Sequence, residues 1–404
     1  MISLTEAHRC IGLLEPLQPA AIALEKALGL VCAEDVHAAH NCPTVDSSLK
    51  DGFAVVSSDI ADASPKNPVT LRVTGALTAG DDTTRCHVTA GTAVRIMTGA
   101  AIPQGATSVL SAEFAQTAGG FVTIVADSRV GLNILFKGSD IIMHDKVFDK
   151  GEVLGPAHLG LLAAAGLKEV LCYPLPKIAI VATGSELVLP GAPLSEGKVA
   201  ASNMVTAAAE LQAMGIRAAT VLLHDNLDTL YDHFRRLVGQ VDLLITCGGV
   251  LDGDKDLTLR AMEQIGMAKI FHRVRIGPGK GACLGRVGKT IIFNLPGGPP
   301  SNHVAFFLLA LSGVRRLMGF TRCLPEKRQV FVSAGLTGQK DWTQLIYSRV
   351  KYADGSLYAA PLNQMSRFAA MAEANALIEI PEGCTAISEG ALAQAWFFSP
   401  RNAR

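Results

Sequence analysis

Three short loops in the second half of the chain combine glycine with acidic or hydroxyl side chains. They are Thr183–Glu186, Thr246–Asp256 and Pro296–Ser301, and each directly follows an apolar run that is typical of a buried strand. Glycine lets backbone N–H groups converge on an anion, and a helix that follows adds a favourable field. Each loop alone is more often a tight turn than a phosphate cradle, but three of them at strand ends of one sheet indicate a pocket.

Two further features could carry charge-based chemistry at these loops. Asp252, Asp254 and Asp256 would suit Mg²⁺ beside a phosphate, and they resemble half of a calcium loop without its downstream Gly and Glu. A solvated helix N-terminus with Asp near the cap explains the same run about as well. Lys280 lies in the glycine-rich segment 277–281, where an anion clamp and a surface lysine are both open interpretations.

An alternation of strands and helices over residues 177–325 positions these loops. It predicts a parallel, doubly wound sheet with helices on both faces, in which ligands bind at the carboxyl ends of the strands. The predicted strands are Lys177–Thr183, Arg217–Leu223, Val241–Thr246 and Thr290–Leu295, and the predicted helices are Ser202–Met214, Leu227–Val238 and Leu257–Ile265.

The flanking parts of the chain have a different pattern. Residues 3–29 are predicted to be helical, because Ser3 and Glu6 have capping-box spacing and Ala21–Leu28 precedes Gly29 as a possible C-cap. Residues 30–176 indicate antiparallel β-structure, except that Asp145–Val170 is predicted to be turn plus helix, and the residues after Pro325 indicate β-structure again. The β-like runs are Gly52–Val56, Val69–Gly75, Ala93–Met97, Ser108–Leu110 and Phe121–Val125. The fold class is therefore multidomain α/β plus β, with a central doubly wound parallel α/β domain flanked by mainly-β domains.

Composition excludes several classes of protein. Of 404 residues, 36 are basic and 36 acidic, which argues against a nucleic-acid or anionic-membrane partner. The 9 cysteines form no C-x-x-C pair, so neither a disulfide framework nor a zinc knuckle is indicated. The start of the chain does not resemble a signal peptide, and the longest apolar run, Ala305–Ser312, is too short to span a bilayer. We expect a cytoplasmic protein.

A series of ordered motifs along nearly the whole chain resembles the molybdopterin molybdenumtransferases, the family that includes the E domain of gephyrin. Several of these motifs are long, and together they make a chance match unlikely. The matching segments are Asp46–Ala54, Arg95–Ala106, Gly138–Ile141, Thr183–Leu187, Ser202-Asn203, Gly248–Thr258, Asn363–Arg367 and Ala374-Asn375.

The resemblance implies an elongated, L-shaped homodimer with four domains in each chain. These would be a dimerisation and linking domain (1–44 and 145–176), a β-rich domain (45–144), an α/β molybdopterin-binding domain (177–325) and a C-terminal β-barrel-like domain (326–404). It also implies insertion of molybdenum from molybdate into adenylated molybdopterin, with release of AMP, assistance by Mg²⁺ and the molybdopterin adenylyltransferase as a partner.

The resemblance also implies which residues form the site, a cleft between the α/β domain of one subunit and the β-rich domain of the other. From the β-rich domain come the catalytic residues Asp51, Thr98 and Asp140. Without the resemblance, Asp51 and Asp140 would be interpreted as ordinary turn carboxylates. The catalytic residues of the α/β domain would be Glu186, Asp225, Asp256 and Lys280, of which Glu186, Asp225 and Asp256 would bind the metal. The cofactor-binding residues would be Thr183, Gly184, Gly248, Gly249, Gly253, Pro296, Gly297, Ser301, Ser366 and Arg367.

The chain departs from the family pattern in its anion-binding loops. Gly277 stands where the family usually has a lysine, Gly298 where it has an asparagine, and Cys247 and Leu251 where it has serines. A family arginine falls near Tyr347, with Arg349 two residues further on. Charged hydrogen bonds contribute about 1.5–3 kcal/mol each, so two losses would weaken oxyanion binding by roughly two to four decades unless replaced.

Arg273 and Arg275, just before the glycine-rich segment, are candidate replacements for the missing cations. If they do not replace them, the alternative function is that of a diverged molybdopterin-binding carrier or chaperone paralogue with little or no metal insertion. A third alternative is a gephyrin-like scaffold, which would need a fused second module.

Overall fold

The computed structural model describes residues 1–250 and 256–398 and divides into two compact units. One unit contains Met1–Ala20, Gly29–Ala33 and the chain from Cys172 onward, and the other contains Ala21–Leu28 and Glu34–Leu171. The finer division into four domains stays a prediction. No helix in the described part of the chain is long and apolar enough to cross a membrane.

The first helix, Leu4–Gly12, begins with the capping box that the sequence predicts. The Ser3 hydroxyl accepts from the Glu6 N–H at 3.2 Å, and the Glu6 carboxylate accepts from the Ser3 N–H at 2.8 Å. The helix buries one apolar face, formed by Leu4, Ala7 and Ile11.

The prediction of a helix over 3–29 is wrong beyond this point. Ala20–Ala23 is a strand and Leu24–Lys26 is a short 3₁₀ turn. Pro16 and Pro19 cannot donate helical hydrogen bonds, and the Leu24 N–H donates to the carbonyl of Lys168 at 3.1 Å. The Ala-rich composition is therefore overridden by a tertiary contact.

The unit that contains Glu34–Leu171 is built on a six-stranded mixed sheet. Its strands in spatial order are Ser108–Ser111, Gly52–Val55, Thr92–Ile96, Val69–Leu77, Phe121–Ile124 and Ala115–Ala118. The five predicted runs are all strands, and Ala115–Ala118 is an additional one. Every neighbouring pair is antiparallel except Val69–Leu77 with Thr92–Ile96, which is parallel. Smaller elements of this unit are the strands Val36–His37, Ser47–Ser48, Ile134–Leu135 and Lys146–Phe148, the 3₁₀ turns Ser57–Ile60, Thr83–Arg85 and Ala112–Phe114, and the helix Pro156–Ala164.

The central sheet of the other unit confirms the predicted α/β organisation. Its strands in spatial order are Ala219–Leu223, Ile178–Thr183, Leu243–Cys247, Thr290–Leu295, Cys283–Val287 and Ala268–His272. The first four are parallel, and the last two, which the sequence analysis missed, are antiparallel. The predicted helices are observed as Ser202–Ala213, Leu227–Leu237 and Leu257–Gln264.

A long buried helical segment follows the last parallel strand. It consists of the helix Pro299–Ala305, a π-helical turn Phe306–Ala310 and the helix Leu311–Leu317. Its side chains and the first helix pack on one face of the central sheet, while the helices Leu227–Leu237 and Leu257–Gln264 pack on the opposite face. The sheet is therefore covered on both faces, as a parallel sheet requires.

The C-terminal part of the same unit forms a closed sheet. Its strands are Thr343–Ala353, Ser356–Pro361, Glu326–Val332, Leu392–Phe397 and Ala376–Ile380, and the last of these pairs again with the first. The short strand Ile276–Gly277 joins Thr343–Ala353 in parallel. The helix Arg367–Glu373 lies between two of the strands in sequence. The other two-residue strands of this unit are Leu187–Val188, Val199–Ala200, Leu336–Thr337 and Ala386–Ile387.

Candidate active site

Two neighbouring cavities lie at the carboxyl edge of the central sheet. The parallel register places Thr183 beside Leu223, and Cys247 beside Leu295, so the loops that follow these strands meet at one edge. The first, called here the acidic cavity, has a volume of about 560 Å³ and is lined by residues that include Thr183, Gly184, Glu186, Lys198, Asn203, Asp225, Gly248, Arg367 and Phe368. The second, called the lysine cavity, has a volume of about 540 Å³ and is lined by residues that include Lys280, Pro296, Ser301, Gln339, Trp342 and Gln344. Both are also lined by Gly249, Asp256 and Gly297.

Reciprocal hydrogen bonds join the two loops that carry the acidic side chains. The Ser185 N–H donates to Asp225 Oδ2 at 3.1 Å, and the Asp225 N–H donates to Ser185 Oγ at 3.2 Å. Lys198 Nζ donates to the Ser185 carbonyl at 2.6 Å. These contacts fix Glu186 and Asp225 at the same rim of the acidic cavity, where both side chains are exposed.

Glycine is required where the second loop passes close to the first. Gly248 has φ +114°, and a Cβ added there would lie 2.5 Å from the Thr183 carbonyl oxygen. A Cβ at Gly249, with φ +62°, would overlap the hydroxyl of Thr258. The Thr258 hydroxyl also bonds to the Thr183 hydroxyl at 2.9 Å. The predicted glycine loop is therefore a site of close backbone approach between two strand ends.

The lysine cavity has a wall from the C-terminal closed sheet. Ile276 and Gly277 pair in register with Thr343 and Gln344, and the Thr343 N–H donates to the Arg275 carbonyl at 3.1 Å. This pairing holds the glycine-rich segment that carries Lys280 against the residues that precede the strand Thr343–Ala353. Sequence reasoning missed this wall, because the pairing joins distant parts of the chain.

The acidic residues predicted from the N-terminal half lie in the other unit. Asp51 Oδ1 accepts from both the N–H and the hydroxyl of Thr98, each at 2.7 Å. These two hydrogen bonds hold the pKa of the Asp51 carboxyl below its ordinary value. The bond from the Thr98 backbone N–H has the larger effect, and the bond from the Thr98 hydroxyl has the next largest. Asp140 is exposed in a turn in which its N–H donates to the carbonyl of Cys42 at 3.0 Å. The structure thus brings the charged carboxylate of Asp51 into direct contact with the two hydrogen-bond donors of Thr98.

The predicted metal-binding carboxylates are brought to one cavity but do not form a compact cluster. Glu186, Asp225 and Asp256 all line the acidic cavity. Among residues 1–250 and 256–398, no three His, Cys, Asp or Glu side chains lie close enough to hold a metal ion on their own. Such a set fits Mg²⁺ bound through one or two carboxylates together with substrate phosphates, which is its usual mode in proteins.

Comparison with known proteins decides the family. The chain matches the MoeA N-terminal region (domain I and II) over residues 2–166, a probable molybdopterin binding domain over 179–315 and the MoeA C-terminal region (domain IV) over 332–398. It is 32% identical to molybdopterin molybdenumtransferase 2 of Mycobacterium tuberculosis, over 98% of this chain and 99% of the relative. The chain belongs to the molybdopterin molybdenumtransferase family.

Other members of the molybdopterin molybdenumtransferase family agree with this assignment. The Bacillus subtilis molybdopterin molybdenumtransferase is 31% identical over 94% of this chain and 90% of the relative. A crystal structure of a molybdopterin biosynthesis MoeA protein from Pyrococcus horikoshii has a TM-score of 0.83 and 27% identity, covering 99% of both chains. The predicted fold class is confirmed by this likeness.

Arg275, one of the two candidate replacements for the missing family cations, is directed elsewhere. Arg275 bonds through two nitrogens to the carboxylate of Glu382, at 3.0 and 3.2 Å. Arg349 donates to the Glu373 carbonyl at 3.0 Å. Neither of these residues nor Arg273 lines the lysine cavity, and Lys280 is the one cationic side chain among the described residues that does. The expectation that Arg273 and Arg275 replace the lost lysine is therefore not supported.

The remaining predicted site residues have separate outcomes. Ser366 caps the helix Arg367–Glu373, because its hydroxyl accepts from the Ala369 N–H at 3.4 Å, whereas Arg367 lines the acidic cavity. Burial raises the pKa of the Cys247 thiol to about 11, so at neutral pH it is a neutral group and not a nucleophile. Gly253, with Leu251, Asp252 and Asp254, lies outside the described residues.

Tyr347, where the family arginine would fall, is part of a buried contact behind the loop Pro296–Ser301. The Tyr347 hydroxyl lies 2.8 Å from His303 Nδ1, and the two rings stack with centroids 5.7 Å apart. Burial raises the pKa of Tyr347 and lowers the pKa of His303 to about 4. The resemblance implies that an anion contact of the family is lost at this position, and the structure shows a buried hydrogen-bonding and stacking contact there instead.

This buried histidine predicts a loss of stability in acid. The pKa of His303 in the folded protein lies below its unfolded value of 6.5. The contribution of the neutral imidazole to the free energy of unfolding is therefore fully present above about pH 6.5 and is lost as the pH falls towards 4. Between about pH 7.5 and 5 the free energy of unfolding should fall by roughly 2 kcal/mol on account of His303. Urea unfolding at both pH values should show a correspondingly smaller fall in His303→Gln, with His37→Gln as a control at an exposed position. An equal fall in His303→Gln and wild type would contradict this.

Proposed function

We propose that the chain inserts molybdenum from molybdate into adenylated molybdopterin and releases AMP. The acidic cavity would take the pterin and its phosphates, and the lysine cavity would take molybdate. The observation that carries this proposal is that Gly249, Asp256 and Gly297 line both cavities, so two bound substrates would be neighbours. Proximity of two bound reactants supplies a large part of the rate of a two-substrate reaction.

The side chains at each cavity support complementary tasks. Molybdate is a tetrahedral dianion, and Lys280 with the Ser301 hydroxyl would donate to its oxygens. Glu186, Asp225 and Asp256 would hold Mg²⁺, which when bound supplies positive charge at the phosphate that leaves with AMP. A dithiolene sulfur is soft and needs no protein ligand if the pterin itself is held beside the oxyanion.

We also propose that the working form is a cytoplasmic homodimer that receives its substrate from the molybdopterin adenylyltransferase. Asp51, Thr98 and Asp140 of the partner subunit would then complete the acidic cavity. Sedimentation of the purified chain tests the dimer: a monomer at all concentrations would contradict this part of the proposal.

Release of AMP tests the activity itself. Purified chain with adenylated molybdopterin, Mg²⁺ and molybdate should release AMP, and omission of Mg²⁺ should slow the release. No AMP above the level without protein would overturn the proposal.

A carrier that binds the nucleotide-linked pterin without turnover is the second candidate. It is favoured by the lining of the lysine cavity, which within residues 1–250 and 256–398 contains one cation, Lys280, where the family pattern has more. Calorimetric titration with adenylated molybdopterin separates the two candidates. Binding without molybdate-dependent turnover supports the carrier, whereas turnover together with binding rejects it.

A further inference from the structure

In the lysine cavity, Lys280 is the one cation among the described residues that could hold a dianion, and its side chain is flexible. The ammonium group of a lysine is carried by a flexible four-carbon chain. Holding it in one position against a ligand therefore costs side-chain conformational entropy. Lys280 is exposed, and within residues 1–250 and 256–398 its ammonium group forms no ion pair. The strength with which Lys280 binds an anion therefore depends on a neighbouring group that orients its ammonium.

Trp342 is placed to do so. Lys280 Nζ lies 5.2 Å from the centroid of the Trp342 ring, which is within the range of a cation–π contact. Both residues line the lysine cavity, and Trp342 is half-buried. The ring therefore lies at the wall of the cavity, beside the ammonium group of Lys280.

The backbone fixes the ring and the lysine segment to each other. Trp342 directly precedes Thr343, whose N–H donates to the Arg275 carbonyl, and Thr343 pairs with Ile276 in parallel register. The two-nitrogen bond from Arg275 to Glu382 is a further link between the lysine segment and the C-terminal closed sheet. At the other end of the segment, the Lys280 carbonyl accepts from the Val274 N–H at 3.0 Å.

A second lysine–tryptophan pair, Lys327 and Trp396, differs from Lys280 and Trp342 in the ion pairing of its lysine. Lys327 Nζ lies 4.6 Å from the centroid of the Trp396 ring, but it also forms an ion pair with Glu379 at 2.8 Å. That charge is neutralised, and Trp396 is buried. An aromatic ring orients a cation without neutralising it, and among the described residues no carboxylate pairs with Lys280 as Glu379 pairs with Lys327.

We propose that Trp342 is the positioning residue of the oxyanion subsite: its ring holds the Lys280 ammonium at the lysine cavity, ready for a tetrahedral dianion. This inference rests on the proposed function for the identity of the anion. The C-terminal closed sheet thereby takes part in molybdate recognition, because Trp342 directly precedes one of its strands. Trp342 would act through Lys280 and would compensate for the missing second cation of the family pattern.

A double-mutant cycle measured with molybdate tests this role. The half-saturating molybdate concentration should rise about tenfold in Trp342→Leu, which keeps an apolar side chain but removes the π-face, and should return close to the wild-type value in Trp342→Phe. Tenfold corresponds to about 1.4 kcal/mol, within the range of a partly desolvated cation–π contact. In a Lys280→Ala background, Trp342→Leu should have no further effect. Lys327→Ala is the matched control, and it should leave the molybdate requirement unchanged.

An equilibrium measurement keeps this test independent of turnover. The chain has 2 tryptophans, so molybdate or tungstate should change the intrinsic fluorescence of the wild type saturably, and the change should be lost in Trp342→Phe, which retains Trp396. Calorimetric titration with molybdate compares the affinity of the wild type with that of Trp342→Leu, which lacks the reporting ring. If the affinity falls about tenfold in Trp342→Leu while the wild type releases no AMP, the inference stands and the proposed activity fails. If Trp342→Leu binds molybdate as the wild type does, or if its effect is undiminished without Lys280, the inference is overturned.

Discussion

Replacement of Lys280 by alanine should raise the molybdate concentration needed for half-maximal activity by roughly 10- to 150-fold, as expected for loss of a charged hydrogen bond. Lys280 is the one cationic side chain that lines the lysine cavity among the described residues, and we expect no other described residue to take its place. The affinity for adenylated molybdopterin should change much less, because the acidic cavity has its own lining. Steady-state assays at varied molybdate, together with calorimetry of the pterin substrate, measure the two effects separately.

Two further variants make the interpretation of Lys280 specific. Lys280→Arg need not restore the wild-type molybdate requirement, because the planar guanidinium presents its donors in a different geometry from an ammonium group. Lys327→Ala removes an equal charge that is also placed over a tryptophan ring but lies outside both cavities, and it should have no effect. Equal losses of molybdate and pterin affinity in Lys280→Ala would show that this lysine is a general phosphate contact instead.

Replacement of Asp225 by asparagine should slow AMP release by about 100-fold at a fixed Mg²⁺ concentration, the order expected for a group that stabilises charge in a transition state. The amide oxygen of asparagine can still accept from the Ser185 N–H, so the loop contact at 3.1 Å should survive while the negative charge is lost. A raised Mg²⁺ requirement should accompany the slower rate. Assays of AMP release over a series of Mg²⁺ concentrations measure both.

Asp228→Asn is the matched control for this change. Asp228 lies three residues further along, in the first turn of the helix Leu227–Leu237, and does not line the acidic cavity. It should behave as the wild type in AMP release. A wild-type rate and Mg²⁺ requirement in Asp225→Asn would remove Asp225 from the proposed metal-binding set.

The sequence predicted the elements whose signal is local. The four parallel strands are predictable because each is a short apolar run, three of them followed within two residues by glycine. The carboxyl edge where those runs end is where both cavities lie. Loops at the ends of parallel strands are brought together by the sheet itself, whatever the rest of the chain does. This is why Glu186 and Asp225 could be placed from motif position alone.

The parts that sequence reasoning missed depend on contacts between distant segments. On the sequence alone Arg275 is a candidate anion contact, but in the structure it bonds to Glu382, 107 positions away. Trp342 carries no motif, and its place beside Lys280 follows from one pairing between the glycine-rich segment and the closed sheet. The Ala-rich stretch after Pro19 illustrates the same point for the fold, since helix propensity there gives way to a strand.

Reconstitution with all substrates tests the central claim, which is that the two cavities act as one site. Purified chain is incubated with adenylated molybdopterin, Mg²⁺ and molybdate, and both AMP and metallated cofactor are quantified. The account predicts that the two products appear in equal amounts, that the metallated cofactor requires molybdate, and that Lys280→Ala lowers its yield at limiting molybdate. AMP release with no metallated cofactor at any molybdate concentration would contradict it.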